Sequence, residues 1–165
     1  MKKIIIFTAL TLTCTACDQL PCANVDVAFS IYVANSAGED LLSPTNPNAY
    51  SEEGIRIFYQ RKTGEWDLYY HPQSDNPNGV TISPKSYYNS DSLACIGMAP
   101  RNFSDGNPSY SGILIKWNNQ DADTIRCESV SDECLTVCTK LWLNGTLVWD
   151  RDATPLSHRA VTIIR

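Results

Sequence analysis

The sequence predicts an all-β fold, an antiparallel β-sandwich of about eight or nine short strands, with a small β-barrel as the alternative. Three observations lead to this prediction. Apolar and polar residues alternate in several short segments, which is typical of strands with one buried face. Turn-forming residues separate these segments, and no segment shows the period of an amphipathic helix. Alternation leaves one face of each sheet in solvent, and this favours a sandwich over a sheet covered by helices.

The longest alternation opens the series of predicted strands. From Val25 to Ala34 every second residue is strongly apolar, and Asn35–Gly38 then predicts a turn. After a loop over 41–50, the alternation resumes from Ile55 to Tyr59. Further strands are expected at 66–70, 80–82, 113–117, 123–127, 134–143, 147–149 and 160–164, with 93–98 as an additional candidate.

Short links between these segments predict hairpins. Lys62–Glu65 separates two alternating segments, and Asn144-Gly145 lies between two apolar strands. Asn-Gly is a preferred pair for a type I′ turn because both residues tolerate a positive φ. Residues 128–133 are expected to connect a third pair of strands.

Composition limits the classes of protein. At 165 residues the chain is expected to form a single domain, and 43% hydrophobic residues are enough to fill a core. There are 18 acidic residues against 13 basic ones. A nucleic-acid partner is therefore not expected, because such proteins normally carry a basic patch.

The first seventeen residues carry the strongest local signal. Lys2 and Lys3 precede an apolar run over 4–13, and two small residues lead to Cys17. The run has the length of a signal-peptide core and is too short to cross a bilayer. This order resembles the signal peptide of bacterial lipoproteins, in which the cysteine becomes the lipidated first residue. The resemblance implies a leader over 1–16, a lipid attached at Cys17, a short tether over 17–24 and a β-domain over 25–165. An ordinary secretory signal that yields a soluble protein is the alternative.

A wider resemblance covers most of the remaining chain. With the leader, the segments 38–44 and 143–149 resemble small uncharacterised lipoproteins of gut Bacteroidetes. This implies a lipid-anchored protein of the bacterial envelope that faces the periplasm, with surface exposure as an alternative, and it implies no known activity. If the likeness holds, the Asp-Ser/Thr-apolar tripeptides around Ser92 and Thr124 match an O-glycosylation motif of that phylum.

Export to an oxidising compartment makes disulfides an expectation. Cys134 and Cys138 are four residues apart on one strand, about 13 Å, which is too far for a bond between them. Each of them could reach Cys127 across a hairpin, and the sequence favours one of these two pairings. Five cysteines beyond the leader and the lipidation site are candidates for disulfides: Cys22, Cys95, Cys127, Cys134 and Cys138.

Aromatic residues provide the candidate ligand-binding positions. Sugar-binding sheets use aromatic platforms, and the alternative is that Trp66 and Tyr70 face the core while the other tyrosines lie at strand edges. The candidate ligand-facing aromatics are Trp66, Tyr69, Tyr87 and Tyr88.

The sequence offers no signature of catalysis. Glu65, Asp67 or Asp75 could serve a glycosidase, but nothing fixes a pair of carboxylates at the required separation. His71 and His158 are isolated in sequence, so neither a metal site nor a cofactor is expected. The sequence therefore predicts a non-catalytic binding or structural domain, held to a membrane by its lipid, with a glycan or an envelope protein as partner. A glycan-binding module of a polysaccharide-uptake system is the sharper alternative, and a glycosidase-like enzyme is the second alternative.

Overall fold

The computed structural model describes residues 24–84, 93–154 and 159–165, which form two packed β-sheets. The strands in chain order are β1 (Asn24–Asp26), β2 (Phe29–Ala34), β3 (Arg56–Gln60), β4 (Trp66–Leu68), β5 (Ile82–Ser83), β6 (Cys95–Met98), β7 (Ser109–Lys116), β8 (Ala122–Ser131), β9 (Leu135–Leu143), β10 (Thr146–Asp150) and β11 (Ala160–Ile164).

The two sheets differ in size. The large sheet has seven strands in the order β1-β9-β8-β7-β3-β4, and β10 also pairs with β9. The small sheet has four strands in the order β11-β2-β6-β5. Apolar side chains from both sheets fill the space between them, and Ile31, Ile57, Ile113 and Leu141 are among those fully buried. The predicted all-β fold is confirmed, and within the described ranges no residue is helical.

The structure contains more strands than the eight or nine expected, partly because the first predicted strand is two strands. β1 pairs in parallel with β9 of the large sheet, whereas β2 pairs with β6 and β11 of the small sheet. The chain passes from the large sheet to the small sheet between β1 and β2. Val27 and Phe29 are buried there, but Val25 is 64% exposed. Alternation reports which side of the backbone a residue occupies, and it does not report which strand lies beside it.

Parallel pairing occurs only at the two ends of the described chain. β1 runs parallel to β9, and β11 runs parallel to β2, while all other described pairs are antiparallel. The sandwich is therefore antiparallel in its interior, as expected, and mixed at the strands that begin and end it.

The predicted hairpin turns lie where the sequence placed them. Asn144 and Gly145 have φ values of 49° and 83°, the positive angles that a type I′ turn requires. Gly64 has a φ of 92° in the turn between β3 and β4. These two turns fix the register on the large sheet, and thereby decide which side chains point away from the core.

Candidate functional site

The outer face of the large sheet carries a row of side chains that runs across six strands. The register opposes Gln60 to Trp66, Gly112 to Arg126, Arg126 to Trp142 and Trp142 to Leu147. The side chains of Gln60 and Trp66 lie above Gly112 and connect it to the rest of the row. A Cβ added to Gly112 would lie 2.6 Å from Gln60 Oε1 and 3.2 Å from Trp66 Cη2. We call this set the outer row, and it consists of Trp66, Gln60, Gly112, Arg126, Trp142 and Leu147.

Strand alternation explains why the outer row faces away from the core. On β8, Asp123, Ile125 and Cys127 are buried between the sheets, so Arg126 must point to the opposite side, where it is exposed. On β3, Ile57 and Tyr59 are buried in the same way. The pairing of β4 with β3 then places Trp66, which is 38% exposed, on the outer face.

Arg126 is the central charged group of the outer row. Its guanidinium carbon lies 4.1 Å from the ring centre of Tyr110 and 5.6 Å from that of Trp142. These two rings are 6.5 Å apart, with an interplanar angle of 53°. No carboxylate among the described residues forms an ion pair with Arg126. The cation is therefore held by aromatic contacts and keeps its hydrogen-bond donors available.

Glu128, two residues further along β8, is fully engaged by its neighbours. Its carboxylate accepts hydrogen bonds from the Tyr110 hydroxyl at 3.0 Å and the Thr139 hydroxyl at 2.9 Å. The Lys140 ammonium lies 3.5 Å away. Burial acts to raise the pKa of Glu128, but the hydrogen bonds from Thr139 and Tyr110 and the Lys140 charge outweigh it and hold the pKa below its usual value. Glu128 thus fixes Tyr110, and Tyr110 in turn supports Arg126.

Basic residues predominate at outward register positions around the outer row. The Lys116 ammonium lies 5.3 Å from the centre of the Phe58 ring, and Lys116 is opposed to Arg56. Across these strands the outward basic residues are Arg56, Lys116, Arg126 and Lys140, and the outward carboxylates are Glu128 and Asp150. The whole chain has a net charge of −5, so this face departs from the charge of the rest of the molecule.

Trp66 is the one candidate aromatic that the structure places on this face. The hypothesis that Trp66 and Tyr70 face the core is wrong, because Tyr70 is also exposed. Their exposure follows from the pairing of Phe58 with Leu68, which turns the apolar side of β4 outward. Tyr87 and Tyr88 lie outside the described residues.

Tyr69 points instead into the gap between the two sheets. Its ring contacts Tyr59 at a centroid distance of 5.9 Å and His71 at 4.6 Å, and the Arg101 guanidinium lies 4.8 Å from its centre. A cavity of about 190 Å³ adjoins it. Gly79, with a φ of 66°, leaves room for the ring, because a Cβ there would lie 2.4 Å from it. Tyr69 is thus packed against the core and does not belong to the outer row.

The cysteines on β8 and β9 approach each other closely. A register shift beside Glu128 brings the sulfurs of Cys127 and Cys138 to 3.2 Å, and both residues are fully buried. Their hydrogen bond and their burial raise the pKa of the Cys127 thiol. Both are free thiols in this structure, and so is Cys95. Cys134 is disulfide-bonded, and none of the other described cysteines is its partner.

The geometry therefore distinguishes the two pairings that the sequence left open. Cys127 lies next to Cys138. Cys134 is already disulfide-bonded and is therefore not available to Cys127. Cys17 and Cys22 lie outside the described residues. The disulfide between Cys127 and Cys138 stays a prediction, because their sulfurs are near each other but not at bonding distance.

The described residues among those considered for modification and catalysis occupy ordinary surface positions. Thr124 is exposed beside the Asn144 turn, whereas the preceding Asp123 is buried and accepts hydrogen bonds from Trp117 Nε1 and Asn144 Nδ2, both at 2.7 Å. Ser92 lies outside the described residues. Glu65 and Asp67 both pair with Arg61 on the β3–β4 hairpin.

Sequence reasoning missed the centre of the outer row. The sequence did not predict a role for Arg126, Tyr110 or Trp142, because none of them belongs to a motif. Two local signals were available: Arg126 is flanked by two apolar residues, and Trp142 lies between two leucines. On a strand, such a pattern places the central side chain on the face opposite to its neighbours.

Neither a membrane-spanning helix among the described residues nor a similarity to known proteins helps to assign this site. In the described ranges there is no helix that is long and apolar enough to cross a membrane. The chain matches no protein-family model, no curated protein and no solved structure.

Proposed function

We propose that this chain is a lipid-anchored protein of the bacterial envelope whose non-catalytic β-domain binds glycan on the outer face of the large sheet. One observation carries the glycan part of the proposal: the outer row presents two tryptophans with a cation between them. Indole rings stack on the apolar C–H faces of sugars, while neighbouring polar groups reach the hydroxyls.

The dimensions of the outer row fit a chain of sugars. The strands of Trp66 and Trp142 are four strand-to-strand steps apart, but the Trp66 indole reaches to 3.2 Å from a Cβ built on Gly112, which is two steps, roughly 10 Å, from Trp142. That span exceeds one sugar ring and matches a short oligosaccharide lying across the strands. Because rigid strands hold both rings, little conformational entropy is lost when a ligand binds.

The test of glycan binding uses the full-length chain, purified in detergent. Affinity electrophoresis through laminarin, xylan, galactomannan and polygalacturonate identifies a retarding polymer, and titration calorimetry gives its affinity. Trp66→Ala and Trp142→Ala are each expected to weaken that affinity about tenfold, since each removes one stacking platform. The control is Ile164→Ala, which removes a more exposed apolar side chain from the small sheet. Retardation by none of the polymers, or an affinity of both tryptophan variants equal to that of the wild type, would overturn the proposal.

The proposed anchor rests on the leader and on Cys17. One acyl chain binds a membrane only marginally, so stable attachment requires two or more. Without Lys2 and Lys3 the basic residues number 11 against 18 acidic ones, a net charge of −7, so the lipid has to provide the membrane affinity.

Labelling of cells with an alkyne fatty acid tests the anchor. The full-length chain is expected to take up the label and to remain with the membranes, and Cys17→Ala is expected to lose both properties. Cys95→Ala serves as the control cysteine variant. A secreted, unlabelled wild-type chain would show instead that the leader is an ordinary secretory signal.

A further inference from the structure

We propose that the outer row selects acidic glycans, and that the carboxylate of a uronic-acid-type sugar binds the guanidinium of Arg126. This inference rests on the proposed glycan-binding function and adds the class of sugar. It is carried by the arrangement of Arg126 and by the distribution of charge around it.

The contacts of Arg126 leave its hydrogen-bonding edge available. The guanidinium carbon lies over the rings of Tyr110 and Trp142, and the N–H donors lie in the plane of the guanidinium group. No hydrogen bond or ion pair from this side chain occurs among the described residues. A carboxylate matches two parallel N–H donors of arginine, and such a charge-assisted pair is stronger than a bond to a sugar hydroxyl.

The nearest carboxylate of the chain does not compete for this site. Glu128 is already held by Tyr110, Thr139 and Lys140, and the low pKa of Glu128 shows that its charge is well compensated. The opposing residue on the other neighbouring strand is Gly112, and the side chains that lie over it, Gln60 and Trp66, carry no charge. A carboxylate can therefore approach Arg126 without displacing an internal partner.

The charge of the face favours the same ligand class. Four basic and two acidic residues occupy its outward positions, whereas the complete chain has five more acidic than basic residues. The molecule as a whole carries a net negative charge, whereas these outward positions carry a local excess of positive charge that attracts polyanions. A polymer that combines stackable rings with regularly spaced carboxylates satisfies both the tryptophans and the cations.

The experiment compares two forms of one polymer, polygalacturonate and its highly methyl-esterified form. Methyl esterification removes the carboxylate charge and keeps the sugar rings. The full-length wild type is expected to bind polygalacturonate at least about tenfold more tightly than the ester, in line with a lost charge-assisted bond. Arg126→Gln is expected to abolish this preference, so that the variant binds the two forms equally. Arg126→Lys, which keeps the charge and loses the planar fork, is expected to have an intermediate preference.

A matched variant controls for net charge. Lys62→Gln removes one exposed positive charge from the β3–β4 turn, outside the outer row, and is expected to keep the wild-type preference. Unfolding curves of all variants show whether each is folded before binding is compared.

The outcomes separate the two proposals. If the ester binds as well as polygalacturonate, or Arg126→Gln keeps the preference, the acidic-sugar inference is wrong and glycan binding still stands. If neither form nor any neutral polymer binds, glycan binding itself fails. Tighter, Arg126-dependent binding of single-stranded DNA than of polygalacturonate would assign the site to another class of polyanion.

Discussion

Arg126 and Arg159 both lie over aromatic rings, and they differ in burial and in their ionic partners. Arg159 lies 5.4 Å from the ring centre of Trp149, and its side chain is only 8% exposed. It donates to both carboxylate oxygens of Asp26, at 2.8 and 2.9 Å, and to the carbonyl oxygen of Ala28 at 3.0 Å. Arg126 has the closer aromatic contact, yet it is exposed and has no carboxylate partner among the described residues.

The difference teaches how a structural cation is distinguished from one that is available to a ligand. A buried guanidinium must have its charge and its donors satisfied, because transfer from water without partners is costly. Asp26 and Ala28 meet this need for the two terminal nitrogens of Arg159, while its buried Nε has no partner among the described residues, and the ion pair links the start of the described chain to its end. Solvent meets the same need for Arg126, and a ligand can replace that solvent. Stacking alone therefore does not identify a function, and an exposed cation without an ion pair among the described residues is one that a ligand can reach. Arg101, over Tyr59 and Tyr69, is a second such cation.

The largest effect on the free energy of unfolding is expected from removing the buried guanidinium of Arg159. Arg159→Met removes the bonds to Asp26 and Ala28 and should lower the free energy of unfolding by about 3 kcal/mol, as expected for charged hydrogen bonds in a mostly buried group. Urea denaturation of the full-length protein measures this change. A loss below about 1 kcal/mol would show that Arg159 is no more important to the fold than a surface residue.

The next largest effect on stability is expected from Cys127 and Cys138, the buried thiols near Arg159. Oxidation of Cys127 and Cys138 would close a loop of about a dozen residues and stabilise the fold by roughly 2–3 kcal/mol. Protein from an oxidising compartment is expected to show a disulfide between them by mass spectrometry after digestion without reductant. Cys95→Ala should keep this bond, and the double variant Cys127→Ala/Cys138→Ala should lose it. Alkylation of both thiols in unreduced, denatured protein would contradict the prediction.

Acid should distinguish the two arginine sites. The hydrogen bond from Arg159, with its charge, lowers the pKa of Asp26 in the folded state. As the pH falls, Asp26 therefore becomes protonated in the unfolded chain before it does in the folded chain. The stability that the ion pair contributes is present above about pH 4 and is lost as the pH falls through the pKa of Asp26 in the folded state. Because the Asp26 side chain is 56% exposed, solvent screening limits the effect to about 1 kcal/mol or less.

Urea denaturation at a series of pH values measures this contribution. Asp26→Asn should flatten the stability profile between about pH 4 and pH 2, while Arg126→Gln should leave its slope unchanged. Identical profiles for Asp26→Asn and the wild type would mean that this ion pair does not couple folding to pH.

The smallest effect on stability is expected at the outer row. Arg126→Gln should change the free energy of unfolding by no more than about 0.5 kcal/mol, because the side chain is exposed and leaves no buried anion behind. The same urea experiment measures it beside Arg159→Met. A loss as large as that of Arg159→Met would assign Arg126 a structural role and would weaken the argument for a ligand.

The sequence was sufficient for the fold class because local patterns decide it. Alternation from Ile55 to Tyr59 predicted β3, and Asn144-Gly145 predicted the turn after β9. Both features depend on side-chain period and on backbone φ, which neighbouring residues determine. The division of the first predicted strand between two sheets depends on pairing with distant strands, and no local pattern reports it.

The candidate site was harder to predict for the same reason. Trp66 and Leu68 form the more apolar side of β4, so the usual rule would bury them, yet pairing with β3 turns them outward. Arg126 and Trp142 are 16 positions apart in the chain and become neighbours only through the register of β8 with β9. The site arises from the alignment of strands, which alternation alone does not specify.

The edges of the large sheet have a consequence for proteins that are crowded on a surface. One edge is β4, a strand of three residues, and the other is shared by three-residue β1 and by β10, whose ladder is interrupted between Leu147 and Trp149. A long, flat edge would offer unpaired backbone groups to a second copy, and short or bulged edges discourage such sheet extension. If copies are anchored side by side, this allows the outer face to carry the exposed Trp66 and the half-buried Trp142 without promoting fibre-like aggregation.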